Sequence, residues 1–363
     1  MPKIAINISP IFDGNSIRGV GYYTTNLVDA IQKEIKKNKQ YQDWSIKLIK
    51  KNITTKSGKY DLVHYPFFDP FNLTLKIDKY IPTIVTVHDL IPREFKKHFP
   101  VGIKGEIKWL IQKNILKKVD RIITVSDYSK NIINQITKFP INKIYTTHLA
   151  ADSSFKSIKD EQILKQVKDK YQLPDKFVLF IGDINWNKNV PNLVKACLDA
   201  KYPLVIVGSS ATKKNVPNHP WTQDILWLQS KAKELENQST KGLIFTGFVP
   251  DEELPIFYNL ATVYCQPSFG EGFGLPLVQA MQSGCPVAYS QTSCLPEIMS
   301  QNGISFDPNS INSIKNALKK YWDDPKVRQQ YIKKGLDYVK KFNWSSTAKN
   351  TLAVYKLALL NGK

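Results

Sequence analysis

The chain has 363 residues, 42% hydrophobic and 23% charged, which at about 100–200 residues per domain gives two domains with cores of their own. Its formal net charge of +20 is nearly all lysine, with arginine only at positions 18, 93, 121 and 328. Lysine lacks the planar fork that reads bases, so the charge argues against sequence-specific nucleic-acid binding; it fits attraction to anionic surfaces or plain compositional bias. The four cysteines, Cys197, Cys265, Cys285 and Cys294, form no CxxC pair and have no histidine at metal-ligand spacing, which suggests packed thiols in a reducing, cytoplasmic compartment. No signal-peptide pattern opens the sequence, and no apolar run approaches the ~20 residues of a membrane span.

Taken in order, Lys3–Ile8 reads as a buried strand, Asp13–Gly21 as a glycine-containing loop, and Tyr22–Lys36 as an amphipathic helix. Strand-like runs follow at Leu62–Tyr65, Thr83–His88, Arg121–Ser126 and Ile144–Leu149. Val101–Val119 is a basic helical stretch in which Ile103, Ile107, Leu110, Ile111 and Ile115 can share an apolar face. It reads either as a helix covering the core or as one lying on anionic lipid, and the lysine-rich composition favours the first. Ala151–Asp175 is polar, with helical spacing over Lys159–Tyr171. The strand–loop–helix order then repeats at Phe177–Gly182, Asp183–Asn189 and Val190–Lys201. Further strand runs are Leu204–Gly208, Leu243–Gly247, Thr262–Gln266 and Pro286–Ser290, and Asn343–Leu360 reads as helix. Short apolar strands alternating with helices predict α/β architecture: two Rossmann-like, doubly wound parallel-sheet domains facing a central cleft. The domains are placed at residues 1–155 and 156–342, with 343–363 as a final helix.

The segment Gln266–Met281, QPSFGEGFGLPLVQAM, carries the most chemistry. A strand ends, a loop presents Gly270, Gly272 and Gly274, and a helix starts near Leu275 with Pro276 in its first turn. The amides of Phe273, Gly274 and Leu275 and the positive end of the helix dipole suit a diphosphate. Glu271 beside them would repel phosphate unless it faces neutral hydroxyls, which a sugar ring supplies.

This segment resembles the donor signature of the family 4 retaining glycosyltransferases. So do RGVGYY at Arg18–Tyr23, TVHDLIP at Thr86–Pro92, DRIITVSDYS at Asp120–Ser129, IGDINWNKN at Ile181–Asn189, FTGFVPDEELPIFY at Phe245–Tyr258 and SCLPEI at Ser293–Ile298. The blocks occur in the family's order along nearly the whole chain, and the bacterial mannosyltransferase-like members are the most similar in overall look. The resemblance implies the GT-B fold, with the final helix crossing back to the first domain. It also implies a retaining transfer of mannose or a similar hexose from a GDP- or UDP-linked donor to a glycan or lipid-linked hydroxyl. No cofactor is implied, and the absence of any Asp-x-Asp pair agrees with a metal-independent reaction.

By the same resemblance His88, Glu271 and Lys188 are the catalytic residues: His88 orients the sugar, Glu271 holds its hydroxyls and Lys188 pairs with the diphosphate. Gly19, Gly21, Asp183, Val249, Gly272, Phe273, Gly274, Leu275 and Gln279 form the donor site. Two positions depart from the family pattern. Gln279 stands where a second glutamate usually holds the ribose, and Asp183 and Asn187 stand where an arginine often lies near the diphosphate. Glutamine still donates and accepts but loses the charge-assisted bond. These departures keep open a non-catalytic nucleotide-sugar or glycan-binding protein; a nucleotide-sugar epimerase of the same fold is a third reading, which the sequence blocks resemble far less than they do transferases. His64 and Asp69 are weaker acceptor-side candidates, and no role falls to His98, His148 or His219. The expected partners are the donor, the acceptor and a peripheral contact with anionic membrane at its cytoplasmic face.

Overall fold

A computed structural model describes residues 1–12, 19–50, 60–75, 77, 80–237 and 242–361. It divides into two units, one comprising Met1–Lys96, Val101–Ala150 and Phe342–Lys363, the other Lys97–Pro100 and Ala151–Lys341.

The first unit is built on a six-stranded parallel sheet in the order β2-β1-β3-β4-β5-β6. Its strands are β1 (Lys3–Asn7), β2 (Ser45–Ile49), β3 (Leu62–Tyr65), β4 (Thr83–Thr86), β5 (Arg121–Thr124) and β6 (Ile144–Thr146). Its helices are α1 (Gly19–Lys37), α2 (Ile91–Glu94), α3 (Gly102–Leu116) and α4 (Asp127–Thr137). The second unit has the order β12-β11-β10-β7-β8-β9, again parallel in every pairing. These are β7 (Val178–Ile181), β8 (Leu204–Val207), β9 (Leu243–Gly247), β10 (Val263–Gln266), β11 (Val287–Ser290) and β12 (Ile304–Phe306). Helix α5 (Glu161–Lys170) precedes β7; between the strands run α6 (Val190–Ala200), α7 (Ser209–Thr212), α8 (Gln223–Asn237), α9 (Leu254–Leu260), α10 (Leu275–Gln282) and α11 (Leu295–Met299), with α12 (Ile311–Asp323) and α13 (Pro325–Tyr338) after β12. The chain then returns to the first unit as α14 (Trp344–Asn361).

Covered strands need no polar alternation: LVIV in β8 is buried throughout, and VLFI in β7 is buried up to its last residue, half-buried Ile181. Strand order reverses once in each sheet, between β1 and β3 and between β10 and β7. At such a reversal the neighbouring loops leave in opposite directions, opening a crevice at the strands' carboxyl ends.

Several expectations are corrected in detail. Strands β2 and β12 were not anticipated. The first is a half-exposed edge strand whose lysine interrupts the apolar run, and the second has three residues. Helix α1 starts at Gly19, so Gly19 and Gly21 lie in its first turn rather than in a loop; residues 13–18, including Arg18, lie outside the described residues. On α3 the inward face is Trp109, Gln112 and Leu116, while Ile103, Ile107, Leu110 and Ile111 point to solvent. No helix among the described residues is long and apolar enough to cross a membrane.

Helix α14 packs on α1 and inserts Tyr355 into the core of the first unit. The Tyr355 hydroxyl is 2.6 Å from Nδ1 of His64, whose Nε2 is 2.8 Å from Oγ1 of Thr86; all three residues are fully buried. Two hydroxyls satisfy both nitrogens of a neutral imidazole, one as donor and one as acceptor. Tyr355→Phe strands one nitrogen in the core and should destabilise the protein by about 1–3 kcal/mol, read as a lower urea midpoint for the first unit.

Candidate functional site

Most of the buried polar side chains described in the second unit, Asn187, Asn189, Gln266, Ser268 and Glu271 among them, lie at the reversal between β10 and β7. After β7 the chain makes a short 3-10 turn, Trp186–Lys188, and Asn189 follows in the left-handed region at φ 53° before α6 begins. After β10 it forms the loop Pro267–Gly274. Three residues of the first segment fix the second. The Asn187 carbonyl accepts from the amide of Phe269 at 2.8 Å, and its side-chain amide donates to the Gly270 carbonyl at 2.9 Å. The Asn189 side chain donates to the carbonyls of Pro267 and Pro308, each at 2.9 Å. Between them Lys188 places Nζ 2.8 and 2.9 Å from the two carboxylate oxygens of Glu271.

Glu271 is 7% exposed. Its carboxylate also accepts from Gln266 Nε2 at 2.5 Å and Ser268 Oγ at 2.7 Å, and Gln266 is oriented in turn by the Tyr264 hydroxyl. On the main chain, the Glu271 amide donates to Ser293 Oγ and its carbonyl accepts from Cys294 Sγ, both at 3.2 Å. A buried carboxylate needs this many partners, because leaving it unpaired costs several kcal/mol. The loop continues through buried Gly272 and Phe273 to Gly274, which caps α10 at φ 81° without a side-chain hydrogen bond. A Cβ on Gly274 would lie 2.8 Å from Leu295 Cδ2, so the turn requires glycine.

The other donor-side residues fall around the same strand ends. Asp183 is exposed and accepts from Ser210 Oγ at 2.9 Å, joining the exit of β7 to α7. Gly208 follows β8, and its added Cβ would lie 2.4 Å from the Gly182 carbonyl, so the chain passes there only as glycine. The Val249 side chain is buried beyond β9. Gln279, in the second turn of α10, accepts from the Tyr258 hydroxyl at 3.2 Å.

Sequence reasoning missed the clamp itself, since Asn187, Asn189, Gln266 and Ser268 carried no assigned role. It also missed His98, which lies flat on Trp186 at 3.5 Å and 6° between ring planes, while Trp186 stacks on Phe269 at 4.9 Å. Aromatic rings thus brace both segments from the side; the residue types were visible, but their meeting was not.

In the first unit His88 follows β4. Its Nε2 lies 3.1 Å from the Pro66 carbonyl, which only accepts; Nε2 therefore carries the proton and Nδ1 keeps its lone pair. Burial lowers its pKa to about 4, partly offset by that hydrogen bond, so the ring is neutral at pH 7. Tyr23 stands edge-on to it at 4.7 Å, with its hydroxyl 3.2 Å from Thr86 Oγ1. His64 is not an acceptor-side group by geometry. His64 is sealed in the core, and Asp69 closes a turn by accepting from the amides of Phe71 and Asn72. Gly19 is exposed and Gly21 buried at the start of α1.

Comparison with known proteins adds independent findings. The family profile described as Glycosyl transferases group 1 matches residues 162–337, and that described as Glycosyltransferase Family 4 matches residues 17–155. The chain is 31% identical over 285 residues to the O-antigen chain mannosyltransferase B of Escherichia coli, covering 76% of this chain and 70% of that protein. It is 27% identical over 274 residues to the serotype-specific mannosyltransferase WbdA of Escherichia coli, covering 73% of this chain but only 32% of that longer protein. Among solved structures it resembles HepE from Anabaena in complex with UDP and glucose, with TM-score 0.71 and 13% identity over 98% of this chain and 100% of that one. The two-sheet architecture is therefore that of the GT-B fold.

Two outcomes follow from this geometry. Lys188→Met leaves the Glu271 carboxylate buried without its cation and should cost about 2–4 kcal/mol, whereas adding Glu271→Gln should restore most of the loss, both read from denaturation midpoints. Burial holds His64 to a pKa of about 3 and His88 to about 4, below the ordinary 6.5. The unfolded chain therefore binds more protons below pH 6.5, and this stability is complete above that value and lost as pH falls towards 4 and 3. The melting temperature should slope downward through that window, less steeply in His64→Asn.

Proposed function

This chain belongs to the family 4 glycosyltransferases, and from that premise we propose that it transfers a hexose, mannose in first place, from a nucleoside diphosphate donor to a glycan or lipid-linked hydroxyl, with retention at the anomeric carbon. The observation that carries the donor site is the Lys188–Glu271 pair, set at the strand reversal beside the uncapped start of α10. The likeness to mannosyltransferases favours the sugar, and the UDP-bound neighbour favours a nucleotide-linked donor.

In this reading the diphosphate lies against the Gly272–Leu275 turn, where the helix dipole and Lys188 stabilise the negative charge of the leaving group. Glu271 turns its carboxylate to the hydroxyls of the sugar, with Gln266 and Ser268 holding it in place. The bond from the anomeric carbon to the phosphate oxygen breaks, the acceptor oxygen forms the new bond on the same face, and the departing phosphate takes its proton. Neutral His88 accepts a sugar hydroxyl at Nδ1, a part it takes from family resemblance. Gly19 and Gly21 admit the ligand near the start of α1, Asp183 and Val249 flank the nucleotide, and Gln279 meets the ribose. Neutralisation by Lys188 and the helix start replaces a divalent cation.

A panel of GDP- and UDP-sugars tested for thermal stabilisation should reveal a donor, with GDP-mannose the largest shift. Glu271→Gln should lower turnover about 10²–10³-fold in protein still folded at the assay temperature, with a lower melting temperature than the wild type because its amide nitrogen meets the Lys188 ammonium. The anomeric NMR coupling of the product should report the donor's configuration, and EDTA should leave the rate unchanged. Stabilisation without transfer across an acceptor panel would instead identify a binding protein.

A further inference from the structure

Lys97–Pro100 lies in the stretch between β4 and α3 that also carries His88. Lys96 and Val101 on either side of it belong to the first unit, yet these four residues belong to the second. Their anchor is Phe99, 4% exposed, which stands edge-on to Trp186 at 6.2 Å and to Trp221 at 5.1 Å. The Trp221 indole N–H donates to the Pro100 carbonyl at 2.9 Å. Trp221 is itself fixed in the turn Pro220–Thr222, where its amide donates to Nδ1 of His219. The segment therefore has a footing of its own, apart from the donor loop. From that footing His98, which is exposed and fills no core, covers Trp186 with its flat face. Trp186 precedes Lys188 by two positions, and Phe269, which also stacks on Trp186, precedes Glu271 by two. The amides of Phe269 and Gly270 both donate to the Asn187 carbonyl, at 2.8 and 3.4 Å, so a shift of Trp186 moves the acceptor from which the loop hangs.

We propose that Lys97–Pro100 is a strap that sets the donor loop, with His98 and Phe99 as positioning residues that act on Lys188 and Glu271 through Trp186. The consequence for catalysis rests on the transferase reading; the bracing does not. Held from the side, Lys188 keeps its place where charge builds on the leaving diphosphate, and a misplacement of about 1 Å is enough to cost about 10²-fold in rate. Because the same connection between β4 and α3 carries His88, the residue that orients the sugar and the brace behind Lys188 are set by one short stretch of chain.

The test is amide hydrogen exchange of the full chain, read on a peptide covering Pro267–Gly274, beside steady-state kinetics with whichever nucleotide-sugar stabilises the wild type. His98→Ala should speed exchange of that peptide about tenfold with no change in melting temperature, since His98 is exposed. Trp221→Phe removes the bond to Pro100 but keeps a ring for Phe99, and should loosen the loop in the same direction by less. In His98→Ala, kcat should fall about tenfold while the donor KM changes by less than about threefold. His98→Phe, which puts a flat ring back on Trp186, should return exchange and kcat to within about twofold of the wild type. The strap is overturned if the peptide exchanges alike in the wild type and His98→Ala, or if His98→Phe leaves it as loose as His98→Ala does. The positioning role is overturned if the loop loosens and kcat holds. A wild type that no nucleotide-sugar stabilises would sink the transferase reading instead, with the exchange rates still deciding the strap.

Discussion

A carboxylate buried at the end of a parallel strand has to be neutralised, and in the second unit Lys188 does it for Glu271. The pair joins two segments 83 positions apart in sequence that leave neighbouring strands of the sheet. Most of the surrounding geometry serves this contact. Asn187 and Asn189 bind the loop on either side of the lysine, and Ser293 and Cys294 hold the glutamate's own peptide groups. A pair so fully satisfied adds little net stability over an apolar replacement, but it defines one geometry for the loop. That suits a loop whose task is to present backbone and charge rather than to fill a core.

The first unit solves a related problem without charge. A fully buried histidine is kept neutral and bonded at both nitrogens, and its partner Thr86 also meets Tyr23, the ring against which His88 stands. Each group in this path is a hydroxyl or a neutral imidazole, so hydrogen-bond direction can adapt without moving a charge through the core. Burial raises the pKa of Tyr23 and Tyr355 and lowers that of His64, the same cause acting with opposite sign on acids and bases.

The sequence reveals what is local in this fold. Apolar runs between turn residues mark the inner strands because strands covered on both faces need no alternation. The glycine loop before α10 is visible because its residue order is dictated by backbone conformation. Lys188 and Glu271 can each be singled out, but nothing in a one-dimensional pattern says that they touch. For the same reason His64 reads as an available strand-end group when it is sealed by a tyrosine 291 positions away. Helix α3 is misread differently. Periodicity finds its longest apolar stripe and assigns it to the core, whereas one tryptophan, one leucine and an arginine-held carboxylate are enough to seat the helix by its other side.

The return of α14 bears on how the chain matures on the ribosome. All six strands of the first sheet are synthesised before α5 begins, yet the helix that supplies Tyr355 lies beyond the entire second unit. Until α14 emerges, the apolar surface it covers and one nitrogen of His64 lack their native partner, while the second unit can already close its own core. The N-terminal half should therefore be the later to reach its native state, and the earlier to need a chaperone.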